Sequence, residues 1–136
     1  MPLRYLLDTN MASHVIKGNV PHVREVLRPI PMSEVGISVV TEAELRFGVA
    51  RKPQAGSLQL AVEEFLLRVE ILAWDSVAAR FYAALRSSLE DSGTPMGSLD
   101  MMIAAHALAL GATLVSHDRV FHRVKRLKLE DWTKPA

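Results

Sequence analysis

Four carboxylates stand where they could do chemistry together: Asp8, Glu44, Asp100 and Asp118. Gathered in one cleft, such groups repel each other, so either some take up protons or a cation joins them. Hard divalent cations such as Mg²⁺ and Mn²⁺ prefer oxygen ligands, often one or two carboxylates completed by water and substrate phosphate. A cation of that kind lowers the pKa of a bound water and stabilises charge on a phosphoryl group in transfer, which makes a phosphodiester the natural substrate. Each acid taken alone has a plainer role. Asp8 and Asp118 can cap helices, Thr41 and Glu44 form a Thr-x-x-Glu capping box, and Asp100 suits the positive end of a helix dipole. Only a shared position in the fold favours chemistry over capping.

The elements supply that position. Residues 3–7 form a short apolar run, expected as a buried strand, and Asp8-Thr9-Asn10 then opens a helix to about Lys17. A helix is expected over 20–27, stopped by Pro29 and Pro31. Residues 35–40 (VGISVV) read as a β-branched strand, with Thr41 opening a helix to about Ala50. Helix 57–67, strand 69–73 and a long helix capped by Asp75 or Ser76 and ending near Leu89 follow. A loop over 91–95 leads to a helix capped by Ser98, with Gly111 at its left-handed end. Residues 112–116 form a fourth strand, then come a short helical piece from Asp118 and a last strand near 128–130. Alternating strands and helices predict a three-layer α/β/α fold with a mostly parallel sheet, in one domain over 1–136. Ligand sites in such sheets lie at the carboxyl ends of the strands, where Asp8, Glu44 and Asp118 follow strands and Asp100 opens a returning helix.

Composition narrows the alternatives. Hydrophobic residues make up 49% and charged residues 23%, a globular mixture that excludes disorder. With no cysteine there is no disulfide framework, thiol nucleophile or thiolate zinc site. No stretch reads as an export signal or a membrane span, so a cytoplasmic protein without a membrane partner is expected. The net charge of +1 does not announce a nucleic-acid binder. Basic groups at Arg46, Arg51 and Lys52, and at Arg119, Arg123, Lys125, Arg126 and Lys128, read most simply as solvated helix faces. His106 reads as a helix-face residue and Asp75 as a cap. His14 and His22 have no metal-ligand spacing to a partner, and Trp74 and Trp132 are core or interface. His117, beside Asp118, reads as structural in the first instance.

The motifs resemble those of the PIN-domain ribonucleases, in particular the VapC toxins. Leu6-Leu7-Asp8-Thr9-Asn10 is similar to their opening motif, and residues 37–48 (ISVVTEAELRFG) to their second, with the active-site Glu at Glu44 rather than Glu42. Residues 95–100 (PMGSLD) followed by 103–107 (IAAHA) resemble the third, with Asp100 as its acid. Residues 112–116 (ATLVS) lead to the fourth, and 127–132 (LKLEDW) resembles the family ending. His117 stands where relatives usually have Asn. The resemblance implies an endoribonuclease dependent on Mg²⁺ or Mn²⁺ that cleaves structured RNA (transfer or ribosomal) and inhibits translation. It also implies a homodimer and a VapB-type antitoxin, with promoter DNA bound only through the antitoxin complex. Asp8 and Asp100 are then the expected principal metal ligands, with Glu44 helping and Asp118 completing the ring. Thr9 and Ser116 would orient water or phosphate, and Arg46 or Arg119 would meet the RNA backbone. Two rivals are a phosphoacceptor signalling domain, which wants paired acids after its first strand, and a non-catalytic relative that only binds RNA or protein.

Overall fold

The computed structural model describes residues 3–135. Five strands form one parallel sheet: β1 (Tyr5–Leu7), β2 (Val35–Ser38), β3 (Glu70–Leu72), β4 (Thr113–Val115) and β5 (Leu129–Glu130). Their spatial order is β3-β2-β1-β4-β5. Six α-helices connect them: α1 (Thr9–Lys17), α2 (Pro21–Leu27), α3 (Val39–Ala50), α4 (Gly56–Arg68), α5 (Ser76–Asp91) and α6 (Ser98–Leu110). The expected α/β/α layering is present, and every strand pairing is parallel.

Strand periodicity splits the core in two. Side chains alternate faces along a strand, so Tyr5 and Leu7 pack with Val23, Val62 and Phe65 beneath α1, α2 and α4. Leu6 turns the other way and packs with Leu85, Leu89, Ile103 and Phe121 beneath α5 and α6. Residues 101–107 are almost entirely buried, as expected of a helix apolar on all sides. His106 lies within that stretch, inside the protein rather than on an outer helix face, and its Nδ1 has no partner. Burial lowers its pKa, against the opposing effects of Asp75 and the Ala73 backbone.

Two caps differ from expectation. Strand β2 stops at Ser38, whose hydroxyl accepts a hydrogen bond from the Val40 N–H at 3.1 Å, so α3 opens two residues before Thr41. The β-branched Val39-Val40 pair suggested a longer strand, but a buried Ser offering a cap outweighs that local preference. Helix α6 begins at Ser98 itself, with Gly97 in the cap position and no side-chain cap bond. Asp75 caps α5 and Gly111 closes α6 at φ 66°, as expected.

Gly36 lies in β2 between Leu3 and Leu72. A Cβ built there would stand 2.6 Å from Leu72 Cδ2, 2.7 Å from Leu3 Cδ1 and 3.1 Å from the Glu70 carbonyl. Gly36→Ala is therefore expected to cost about 1–3 kcal/mol through overpacking, read as a lower urea midpoint at unchanged slope.

The strand order locates the functional edge. The chain builds β1, β2 and β3 in one direction, then returns through α5 and α6 to place β4 on the other side of β1. A crevice opens at such a reversal, between the carboxyl ends of β1 and β4. Phosphoacceptor domains have the order 2-1-3-4-5, with their switch point at β1 and β3, so the observed order removes that rival.

Candidate active site

Register brings three polar residues to one level. Leu7 pairs with Ile37 on one side and Val115 on the other. The next residue of each strand is therefore Asp8, Ser38 or Ser116, and all three are buried. The Asp8 N–H extends the ladder by one bond to the Val115 carbonyl, at 3.1 Å.

Asp8 is both a cap and a site residue. Its Oδ1 accepts from the Met11 N–H at 2.8 Å, and its Oδ2 accepts from the Ser116 hydroxyl at 2.5 Å. A carboxylate offers about four lone-pair sites, so roughly half of that capacity remains for a ligand. The Ser116 oxygen in turn accepts from the Asp118 N–H at 2.9 Å, which fixes the turn carrying the fourth acid. Asp118 caps a 3-10 helix, Arg119–Arg123, by accepting from the Val120 N–H at 3.0 Å.

Glu44 is tied to the same motif by Thr9. The Thr9 hydroxyl donates to Glu44 Oε1 at 2.5 Å. Its only proton is thereby committed, so the buried Thr41 hydroxyl, 3.2 Å away, donates to Thr9. Thr41 and Glu44 thus form no capping box; they lie inside α3 and face the first motif. Glu42 is held elsewhere, accepting from Arg46 at 2.9 Å. Arg46 also pairs with Glu63 at 3.3 Å, so this guanidinium, expected to meet RNA, is committed to carboxylates.

Electrostatics link all four acids. Burial raises the Asp100 carboxyl above its ordinary value, and the charges of Asp118, Asp8 and Glu44 push the same way. Burial likewise raises Asp8; the Ser116 and Met11 bonds oppose it, Asp118 adds to it and His14 offsets it. His14, which its sequence spacing left without a role, is therefore an electrostatic neighbour of Asp8. None of the four acids has a Lys, Arg or His ion-pair partner among the described residues.

The donor set fits a hard cation: all oxygen, mutually repelling and in no ion pair among the described residues. Among the described residues, no three acidic or histidine side chains converge closely enough to form a complete metal cage. An ion here would be held by one or two of these carboxylates, with water and phosphate filling its other positions.

Clefts flank the acids. One of about 690 Å³ runs between α1 and the turn after β4, lined by Asn10, Ser13, His14, Lys17, Asn19, His117, Asp118 and Arg119. A smaller one of about 200 Å³ lies on the other side of α1, where Thr9, Asn10, Ser13 and Lys17 face Glu44 and Lys52. Asn10, Ser13 and Lys17 were given no site role by sequence reasoning, and Thr41 was read only as a helix start and capping-box residue. The α1 residues show as a polar face only once Asp8 fixes where that helix starts.

His117 is held by the chain's ending. Its Nδ1 lies 2.9 Å from Asp131 Oδ2 and 3.2 Å from the Thr133 hydroxyl. Burial alone would raise Asp131, but the Thr133 and His117 bonds outweigh it and hold its carboxyl low. Trp132 beside it is buried and packs edge-on against Tyr5, 5.2 Å between ring centres.

Ser116→Ala would remove the Asp8 Oδ2 donor and the Asp118 N–H acceptor together. A loss of about 1–3 kcal/mol is expected from the buried group left unsatisfied, measured by denaturant unfolding.

Known proteins are similar to this chain in sequence and fold. The PIN domain family model matches residues 5–127, a span that includes all four acids. A tRNA(fMet)-specific endonuclease VapC of Salmonella typhimurium is 39% identical over 132 residues, covering 96% of this chain and 98% of that protein. DNA-bound VapBC from Salmonella typhimurium superposes with a TM-score of 0.89 at 35% identity, over 96% of this chain and 98% of that one. VapBC2 from Rickettsia felis, bound to a DNA fragment from their promoter, gives a TM-score of 0.88 at 32% identity, over 96% and 99%. The family model over most of the chain, a relative at 39% identity over nearly its full length and the structural superpositions agree: the chain belongs to the PIN-domain family, in its VapC branch.

Proposed function

We propose that this protein is an endoribonuclease toxin that requires Mg²⁺ or Mn²⁺ and cuts structured RNA, with transfer RNA as the first substrate to test. The observation that carries the reading is the buried Asp8 carboxylate at the carboxyl ends of β1 and β4, fixed by Ser116 and the Met11 N–H, with Asp118 tied to Ser116 and Glu44 tied to Thr9. Asp8 and Asp100 would hold the ion, with Glu44 and Asp118 at its margin. When bound, such an ion supplies a water of lowered pKa and charge stabilisation on the phosphoryl oxygens.

The chain's own groups do the positioning. Ser116 and the Met11 N–H lock the Asp8 carboxylate in one orientation. Thr9, supported by Thr41, does the same for Glu44. Lys17 and Arg119 line the larger cleft and would meet phosphates on either side of the scissile bond. Transfer RNA comes first because the Salmonella relative is a tRNA(fMet)-specific endonuclease.

The same reading gives the chain a VapB-type antitoxin, because the similar structures are VapBC assemblies, and places promoter DNA on that complex rather than on the toxin alone. It makes the chain a homodimer acting in the cytoplasm. Phe47, Leu60 and Leu67 are 66%, 68% and 86% exposed and offer apolar surface for pairing. A single monomeric species in sedimentation at micromolar concentration would remove the dimer. Among the described residues, no helix is long and apolar enough to cross a membrane.

The deciding experiment incubates the protein with total bacterial RNA and with initiator transfer RNA, in Mn²⁺, Mg²⁺ or EDTA, and maps new ends. Metal-dependent cuts at few positions, absent in Asp8→Asn, are expected. Cuts that persist in EDTA would overturn the metal requirement, and no cuts with bound metal would move the chain to a non-catalytic role.

A further inference from the structure

We propose that a second cleft, between α5, α6 and the segment after the 3-10 helix, binds a part of the RNA away from the scissile bond; this rests on the ribonuclease reading above. The cleft holds about 320 Å³, with Phe81, Leu85 and Leu89 on its apolar side and Arg123, Lys125 and Arg126 around it. Phe81 is 41% exposed, which leaves an aromatic surface open to a base.

Cations on the helices are of two kinds: Lys17, Arg24 and Arg80 form no ion pair among the described residues, whereas three arginines do. Arg46, Arg68 and Arg86 are each paired with a glutamate four residues away. Arg123, Lys125 and Arg126 form no ion pair among the described residues; Arg123 donates instead to the Pro95 carbonyl. These three exposed residues lie at the end of a 3-10 helix and in the turn after it, not on an α-helix face. They follow one another through the end of a 3-10 helix and a turn, and they gather on one cleft.

Arg126 adds an independent observation. Its φ is 69°, the only positive value at a non-glycine among the described residues. That backbone region disfavours a residue with a Cβ, and such outliers gather at functional sites. Glycine would fit the turn better, and the arginine here sets a cation beside the cleft at that cost.

Continuity with the catalytic edge favours RNA as the occupant. The basic segment starts at Asp118, and Arg123 reaches the loop that leads into α6 and Asp100. At about 2 Å of rise per residue, the 3-10 helix separates Asp118 from Arg123 by about 10 Å, a few nucleotides along a strand. Phosphates for the cations and a base for Phe81 come together in one polyanion, which an acidic protein segment does not provide.

The test is the paired variant Lys125→Gln with Arg126→Gly, which removes two charges and relaxes the strained turn. Binding of initiator transfer RNA is measured in EDTA across a salt series. Cleavage of that RNA, and of a short hairpin spanning its mapped cut, is measured in Mn²⁺. Affinity for the transfer RNA is expected to fall about tenfold, with the salt slope shallower by about 0.7–0.9 per charge removed. Hairpin cleavage should stay at the parental rate, and the melting temperature should be unchanged or higher. Unchanged affinity and slope, hairpin cleavage slowed as much as that of the whole RNA, or a lower melting temperature would overturn the proposal. So would a loss confined to affinity for the antitoxin protein. A parent chain that binds the transfer RNA but cuts neither substrate overturns the nuclease reading alone, and the binding comparison still decides this site.

Discussion

Asp100→Asn is expected to lower the rate of RNA cleavage about a thousandfold while leaving the fold intact. Metal-assisted charge stabilisation contributes several kcal/mol to such reactions, and each 1.36 kcal/mol is tenfold in rate. Losing about 4 kcal/mol therefore costs about three orders of magnitude. Asn keeps the size of the side chain and removes its charge. The Asp100 carboxylate makes no side-chain hydrogen bond among the described residues, so the substitution breaks none, and it removes only a charge from the first turn of α6. Asp8→Asn is expected to show a similar loss. Its amide oxygen can still accept from the Met11 N–H, so α1 keeps its cap. The measurement is the single-turnover rate on the mapped RNA, with circular dichroism as the folding control. Normal rates in both folded variants would remove these residues from the chemistry.

The second large effect is on stability, through metal and pH together. Asp8 and Asp100 both titrate above the reference value of 3.8. Between that value and the raised one, the native chain holds more protons than the unfolded chain. Their contribution to stability is therefore highest below the unfolded value and falls as pH rises through the folded one. Above the folded values the ionised acids work against the fold, and a divalent cation at about 100 times its Kd should return about 2.7 kcal/mol. The gain should fade toward acid pH as the carboxylates protonate. Asp131 shifts the opposite way, so its stabilisation is present above 3.8 and lost as pH falls through its lowered value. Comparison with Asp100→Asn removes that background. The metal-free variant should melt a few degrees above the parent at pH 7, converge with it in acid and respond less to Mn²⁺. An equal response of parent and variant to Mn²⁺, followed by calorimetry from pH 4 to 8, would sever the link between these acids and the metal.

The sequence by itself determined the layers, because apolar runs and helix-period segments alternate too regularly for another class of fold. It also determined the chemistry-bearing residues through short-range signals: an acid after an apolar run at Asp8 and at Asp118, and an acid in the first turn of a helix at Asp100. Local signals reached their limit at Ser38 and Thr41. The β-branched run over 37–41 carries strand and helix preferences together, and only the buried Ser38 cap ends the strand. Glu44 could not be separated from a capping box until Thr9, 35 residues earlier, was seen to hold it. His117 was ambiguous for the same reason, since its partners Asp131 and Thr133 follow one further strand.

What only the tertiary structure decided is which charges are balanced. Lys and Arg occur throughout the chain, and sequence spacing favours pairing only between helix neighbours. Parallel strand register and the reversal between β1 and β4 bring Asp8, Ser116 and Asp118 together from opposite ends of the chain. That assembly leaves the four acids, and Arg123, Lys125 and Arg126, outside any ion pair among the described residues. Electrostatic balance depends on distance in space, and the long-range contacts that set it have no local signature in sequence.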